Sequence, residues 1–289
     1  MIELLQSHAG LALALAGVVG LLVGSFLNVV ILRVPVMMQR EWEAQCAELA
    51  GDGQAPPEAP RYNLLTPPST CPACGSRIRP WHNVPVLSWL WLRGRCADCG
   101  NGIGLRYPVV EAFTGVLSVI VIWRFGVTVE GLAALGFTWA LIAASVIDLD
   151  HTLLPDSITL PLLWAGLVLA AAGAGFTDPV SAILGGTFGY LALWSVYHAF
   201  RLLTGKEGMG HGDFKLLAAL GAWLGWQLLP QVILLSALVG AAVGIALIVA
   251  GGRSRDSAIP FGPYLAAAGW IALLWGEAIN RAYLGTVGL

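Results

Sequence analysis

The chain is expected to be an all-α polytopic membrane protein with about eight transmembrane helices and one polar insert between the first two. Three observations carry that expectation. Only 11% of the 289 residues are charged and 57% are hydrophobic, whereas a soluble domain carries about 25% charged residues. Eight apolar runs, roughly 10–32, 108–125, 131–147, 157–175, 180–200, 214–229, 232–250 and 261–279, reach or approach the length of a membrane span, about 20 residues for a helix. Basic residues are also distributed unevenly. If the first run leads inward, thirteen of the fifteen Lys and Arg fall on the cytoplasmic side, and only Arg124 and Arg281 fall outside, the bias that orients membrane proteins.

Taken in order, the N-terminal run is too long for a cleavable signal and has no basic leader, since Glu3 is its first charge. It is expected to be the first transmembrane helix, within 1–33. An insert at 34–107 follows, and its first half, including Gly53 to Pro60, is expected to be a loose connector. Its second half holds Cys71-Pro72-Ala73-Cys74-Gly75 and Cys96-Ala97-Asp98-Cys99-Gly100, with 21 residues between Cys74 and Cys96. Two such knuckles resemble a closed four-thiolate zinc site, structural rather than catalytic. Two disulfides or a redox pair are the alternatives, but a cytoplasmic insert is reducing and no βαβ pattern surrounds either pair. Cys46 is left over. The remaining 108–289 is expected to form a seven-helix membrane domain, with breaks at Gly173-Ala174-Gly175, Leu229-Pro230 and Gly251-Gly252.

Acids at the edges of membrane-length apolar segments are costly and are usually functional. Asp148 ends the third run and Asp213 opens the sixth, so the two sit at opposite poles of their helix dipoles. A pair in unlike environments suits hydrolysis, in which one carboxylate takes a proton from water and the other protonates the peptide carbonyl. Gly208, Gly210 and Gly212 before Asp213 are expected to supply positive φ angles and to keep side chains away from the carboxylate. A Gly-rich connector with Asp213 as a helix N-cap is the blander account. Asp150 is expected to face water or a basic partner, and Asp156 to cap the fourth membrane helix. Glu111 is open between a functional role and pairing with an arginine such as Arg106, and His151 and His211 are expected to be polar edge residues.

The ordered set of motifs resembles the type IV prepilin peptidase family. It comprises Gly24-Ser25-Phe26-Leu27-Asn28-Val29-Val30 with Arg33, both cysteine pairs, Arg106-Tyr107-Pro108, and Ile147-Asp148-Leu149-Asp150-His151 with Leu154-Pro155-Asp156. Thr204 to Gly210 leading into Gly212-Asp213-Phe214-Lys215, and Pro260-Phe261-Gly262-Pro263-Tyr264, complete it. The resemblance implies that Asp148 and Asp213 are the catalytic aspartates, and that leader peptides of prepilins and pseudopilins are cut after a glycine at the cytoplasmic edge of the bacterial inner membrane. It also implies N-methylation of the new terminus with S-adenosylmethionine. His211 stands where members of the family often have tyrosine. No nucleotide-binding fingerprint is present, so the methyl donor is assigned to no residue, and membrane lipid, not nucleic acid, is the expected surroundings.

Two other readings fit less well. Presenilin-type peptidases also have a GxGD element, but pair it with Tyr-Asp where this chain has Ile147-Asp148. A proton-coupled transporter would place its acids near mid-bilayer, often within an internal repeat.

Overall fold

Leu, Ala, Val and Ile in long runs with few breakers fold here as helix, and among the described residues no strand forms, only two isolated bridges. The computed structural model describes residues 8–50, 61–206, 208–250 and 260–287. The expected connector at Gly53 to Pro60, the break at Gly251-Gly252, and Arg253 and Arg255 lie outside them. The helices are α1 (Ala9–Ala50), the short α2 (Leu87–Trp91), α3 (Arg106–Phe125), α4 (Val129–His151), α5 (Asp156–Ala171), α6 (Pro179–Thr204), α7 (His211–Leu224), α8 (Leu229–Val249) and α9 (Gly262–Val287).

The eight expected runs thus correspond to eight long helices among the described residues. Five are long and apolar enough to cross a membrane: α1, α3, α4, α6, and α8 with the short turn at 226–228 leading into it. Helix α5 has 16 residues and α7 has 14, the latter rising only about 21 Å. Two boundaries differ from expectation. Helix α1 runs on through Pro35 to Ala50, because Met, Gln, Arg, Glu and Ala beyond the proline are good helix formers. The break after α7 comes at Gly225 (φ +80°) rather than at Leu229-Pro230, and Pro230 lies in the first turn of α8, where a missing N–H costs nothing.

The chain divides into two compact units, Met1–Val127 and Thr128–Leu289. In the first, α1 lies against α3 at backbone distance. A Cβ on Gly20 would stand 2.8 Å from the Gly115 Cα, and one on Gly24 would stand 2.7 Å from the Glu111 Cα. Small residues at such a seam let membrane helices approach closely. Farther along α1, Asn28 Nδ2 donates to the Tyr107 carbonyl at 3.2 Å. Arg33 then donates to the carbonyls of Asn63 at 2.8 Å and Pro67 at 2.6 Å, fixing the insert against the middle of α1.

In the second unit α7 is the central helix. Phe214, Leu216, Leu217 and Leu220 are fully buried, and α5, α6, α8 and α9 all contact it. Gly185 of α6 meets Gly221 backbone to backbone, and Gly189 likewise faces the Leu217 carbonyl. The Trp223 indole donates to the Leu162 carbonyl at 2.7 Å, tying α7 to α5. Asp178 caps α6, accepting from the amides of Val180 and Ser181 at 3.0 Å each, which satisfies two of the helix's otherwise unpaired amides.

Candidate active site and metal centre

Asp148 lies in the last turn of α4, whose chain then reverses at Thr152 (φ +50°). Asp213 is the third residue of α7, with Gly210 in the N-cap position, so the capping role weighed for Asp213 is not the one it has. The carboxylates are buried, Asp148 to 5% exposure and Asp213 to 7%, and a Coulombic interaction links them. Asp148 Oδ2 accepts the Gly262 amide at 3.0 Å. Asp213 Oδ1 is buried and accepts no hydrogen bond. An orphan carboxylate oxygen is expensive in a protein interior, and such groups concentrate where chemistry is done.

Glycine shapes this site through space rather than through φ. Gly208, Gly210 and Gly212 are not among the positive-φ glycines; in that connection only Gly205 is, at +68°. The expectation of positive φ is therefore corrected. Gly212 is needed because a Cβ would lie 2.7 Å from the Leu154 Cβ, and Gly208 because one would meet the Phe200 ring at 2.8 Å. At Gly210 the nearest atom to such a Cβ is Asp213 Oδ2, at 3.8 Å. Gly262 is tightest against the chemistry, since its Cβ would stand 2.7 Å from Asp148 Oδ2 and 3.1 Å from the Leu154 methyls. Leu154 thus lies against glycines in the first turns of both α7 and α9. Sequence reasoning assigned Gly262 no role; its only signal is a glycine between Phe261 and Pro263 at the start of an apolar run.

The remaining polar residues separate cleanly. Asp150 and His151 are exposed. Asp156 is the first residue of α5 rather than its cap, which is Pro155. Both its oxygens accept from Lys215 Nζ at 2.7 Å, joining the start of α5 to the start of α7. His211 packs its ring 5.1 Å from Tyr197 and 5.3 Å from Phe214, and the buried Tyr197 hydroxyl has no partner. In the other unit, Glu111 Oε2 accepts the Val86 amide at 2.8 Å.

The cysteines come together in that same unit. The Sγ atoms of Cys71, Cys74, Cys96 and Cys99 all lie within 4.8 Å of one another, and those of Cys71 and Cys99 are 3.9 Å apart. A zinc–sulfur bond of about 2.3 Å gives a tetrahedron with edges of about 3.8 Å, so the thiols fit that ion. The two knuckles are copies of one turn. In each, the first cysteine's carbonyl accepts the amide of the glycine four residues on, Gly75 at 2.9 Å and Gly100 at 3.0 Å. Its own amide donates to Ser76 in one and Asn101 in the other, at 2.9 and 2.8 Å. Both glycines have φ +71° with open space around them, so here backbone conformation is what requires glycine. Bonds from the Ser76 hydroxyl and amide hold the Cys74 thiol down at about 6, and the amides of Cys99 and Asp98 lower Cys96. The Asn101 amide also pulls on Cys99, but desolvation and the three neighbouring thiols push it up to about 12. The four sulfurs could thus hold a metal ion.

A helical membrane protein with two buried aspartates in one unit and four convergent thiols in the other belongs to a narrow class, and comparison narrows it further. Residues 18–125 match the bacterial peptidase A24 N-terminal domain and residues 135–245 the type IV leader peptidase family. The chain is 53% identical over 288 residues to the prepilin leader peptidase/N-methyltransferase of Aeromonas salmonicida strain A449, covering 99% of both chains. It is 53% identical over 289 residues to the protein of that name from Pseudomonas aeruginosa PAO1, covering 100% of this chain and 99% of the relative. With its namesake in Burkholderia pseudomallei strain 1026b it shares 51% over 268 residues, 92% of this chain and 86% of that one. No solved structure matches. The chain belongs to the type IV leader peptidase family.

Proposed function

We propose that the protein is an aspartic endopeptidase that removes the leader peptide of type IV prepilins and pseudopilins and then N-methylates the new terminus. The observation that carries the peptidase reading is the buried, interacting pair Asp148 and Asp213, one oxygen of which has no partner. With one proton shared between the two, the ionised carboxylate takes a proton from water as the hydroxide equivalent adds to the scissile carbonyl. The protonated carboxyl gives its proton to the carbonyl oxygen. On collapse of the tetrahedral species the newly protonated carboxyl gives its proton to the departing amine. A hydroxyl of the tetrahedral carbon returns its proton to the other carboxylate, and the pair regains its starting state. The Gly262 amide, donating to Asp148 Oδ2, orients that carboxylate throughout.

The active site faces the cytoplasm in this reading, because the basic residues between Arg33 and Arg106, with Arg201, Lys206 and Lys215, then lie inside. All eight long helices reside in the membrane, with the short α7 holding Asp213 near its edge. A substrate whose apolar helix is anchored in the bilayer presents its leader junction at that depth, a proximity gain.

Cys71, Cys74, Cys96 and Cys99 hold a structural zinc ion, which supplies folding energy to the insert and no chemistry. S-adenosylmethionine supplies the methyl group when bound. Among the described residues there is no sheet, so a nucleotide crevice at strand ends is not its site, and no residue is assigned to it.

The test is to incubate the purified full-length protein with a full-length prepilin and isotope-labelled S-adenosylmethionine, and to sequence the product. Release of the leader with label on the new terminal residue supports the proposal. An intact substrate, or cleavage elsewhere in its sequence, refutes it.

A further inference from the structure

The cysteine-bearing insert carries more than its thiols. From Arg61 to Arg106 it has six arginines, Arg61, Arg77, Arg79, Arg93, Arg95 and Arg106, and one acid, Asp98. All six arginines are exposed. Among them lies α2, Leu87-Ser88-Trp89-Leu90-Trp91, and its two faces differ. Trp89 turns inward, where its indole donates to the Ile103 carbonyl at 3.1 Å and its ring covers Gly94, at which a Cβ would stand 2.8 Å away. Leu87, Leu90 and Trp91, spaced i, i+3 and i+4, share the other face. They are 66%, 58% and 80% exposed. Large apolar side chains gathered on one face mark a contact surface.

Hydrogen bonds fix the depth of this face. The amide of Val86, the residue before α2, donates to Glu111 Oε2 at 2.8 Å. Glu111 lies five residues into α3, about 7.5 Å along the helix from Arg106. Helix α3 is long and apolar enough to span a membrane, and the Arg33 bonds to Asn63 and Pro67 hold the insert against α1 part-way along its length. Helix α2 therefore sits beside α3 at the level where its membrane run begins, its apolar face exposed and Arg93 and Arg95 following it directly in the sequence. Tryptophan and leucine at headgroup depth, flanked by cations, suit a bilayer interface with anionic headgroups.

We infer that α2 and its flanking arginines form a lipid-docking surface: Leu87, Leu90 and Trp91 enter the headgroup boundary, and Arg77, Arg79, Arg93 and Arg95 engage anionic headgroups, laying the insert on the membrane. The inference rests on α3 crossing the membrane and is independent of the peptidase reading.

The test uses the full-length protein in nanodiscs of phosphatidylcholine, with or without phosphatidylglycerol, whose acyl chains carry bromine near the headgroup end. The fluorescence of wild type minus that of Trp91→Leu isolates Trp91. Bromolipid is expected to quench most of that difference, and Arg93→Glu to cut the quenching by about half in anionic discs while leaving it unchanged in neutral ones. Bound zinc equal to wild type verifies that each variant is folded; should Trp91→Leu lose zinc, Trp91→Phe serves the same subtraction. Equal Trp91 emission with and without bromine overturns the proposal. So does a change that appears only when a pilin peptide is added, which would make the face a protein-docking surface. Quenching that ignores phosphatidylglycerol and Arg93→Glu alike removes the anionic component.

Discussion

Gly262 is where a single added carbon would disturb the site most. Its absent side chain lets Asp148 Oδ2 approach the start of α9 and accept the backbone amide there. Gly262→Ala places a methyl 2.7 Å from that oxygen, and a displacement of about 1 Å in catalytic geometry can cost roughly 100-fold. The variant is expected to cleave prepilin at least about tenfold more slowly while unfolding at nearly the wild-type temperature, as read by parallel kinetics and thermal melts. Asp156 should behave in the opposite way. Its pair with Lys215 is half-exposed, and such pairs contribute about 0–1 kcal/mol. Asp156→Asn should therefore lower stability slightly and leave the cleavage rate within about twofold. The aspartates could be singled out in the sequence because two acids at the ends of membrane-length apolar runs are costly, even with an N-cap as the blander account of Asp213 alone. The contacts of Gly262, Gly212 and Leu154 could not be read there, although all three stand in the quoted motifs, because a glycine's purpose depends on what stands opposite it in space.

Element boundaries were legible wherever hydrophobic runs met glycine or a polar break, and the eight runs became eight helices. The reading failed where local rules compete. The first helix was expected within 1–33, yet helix-forming residues beyond Pro35 carry α1 to Ala50. Pro230 looked like the break after α7, yet it begins α8. The roles of Asn28 and Arg33 were hidden because their partners, Tyr107, Asn63 and Pro67, lie 30 or more residues away. The knuckles were the most readable elements, since Cys-x-x-Cys-Gly specifies its own turn. Their metal affinity should depend on pH in a definite sense. Cys74 gives up its proton at about 6 and Cys99 holds its own to about 12, so zinc must displace protons that acid would restore. Affinity is expected to rise with pH, by about tenfold per unit for each proton displaced, in a chelator competition from about pH 6 to pH 8. Affinity independent of pH would mean that the thiols are not the ligands.

At the scale of the whole molecule, orientation links the charge pattern to the chemistry. Cys46 is exposed on the part of α1 that runs past Arg33, on the side with most of the arginines. A membrane-impermeant maleimide should label it in inverted inner-membrane vesicles and not in right-side-out ones. Labelling in the right-side-out preparation would reverse the topology and place Asp148 and Asp213 on the wrong side for a cytoplasmic leader. The aspartate pair lies in one compact unit and the thiol cluster in the other, and methyl transfer, to which no residue is assigned, does not call on the aspartates' proton exchange. The most direct test of the account is therefore one assay on Asp148→Asn and Asp213→Asn, reading leader cleavage and transfer of labelled methyl to an already cut pilin. Asparagine keeps the shape and cannot exchange the proton. The account predicts that each variant loses cleavage by several orders of magnitude and still methylates the cut pilin. Near wild-type cleavage by either variant would contradict it.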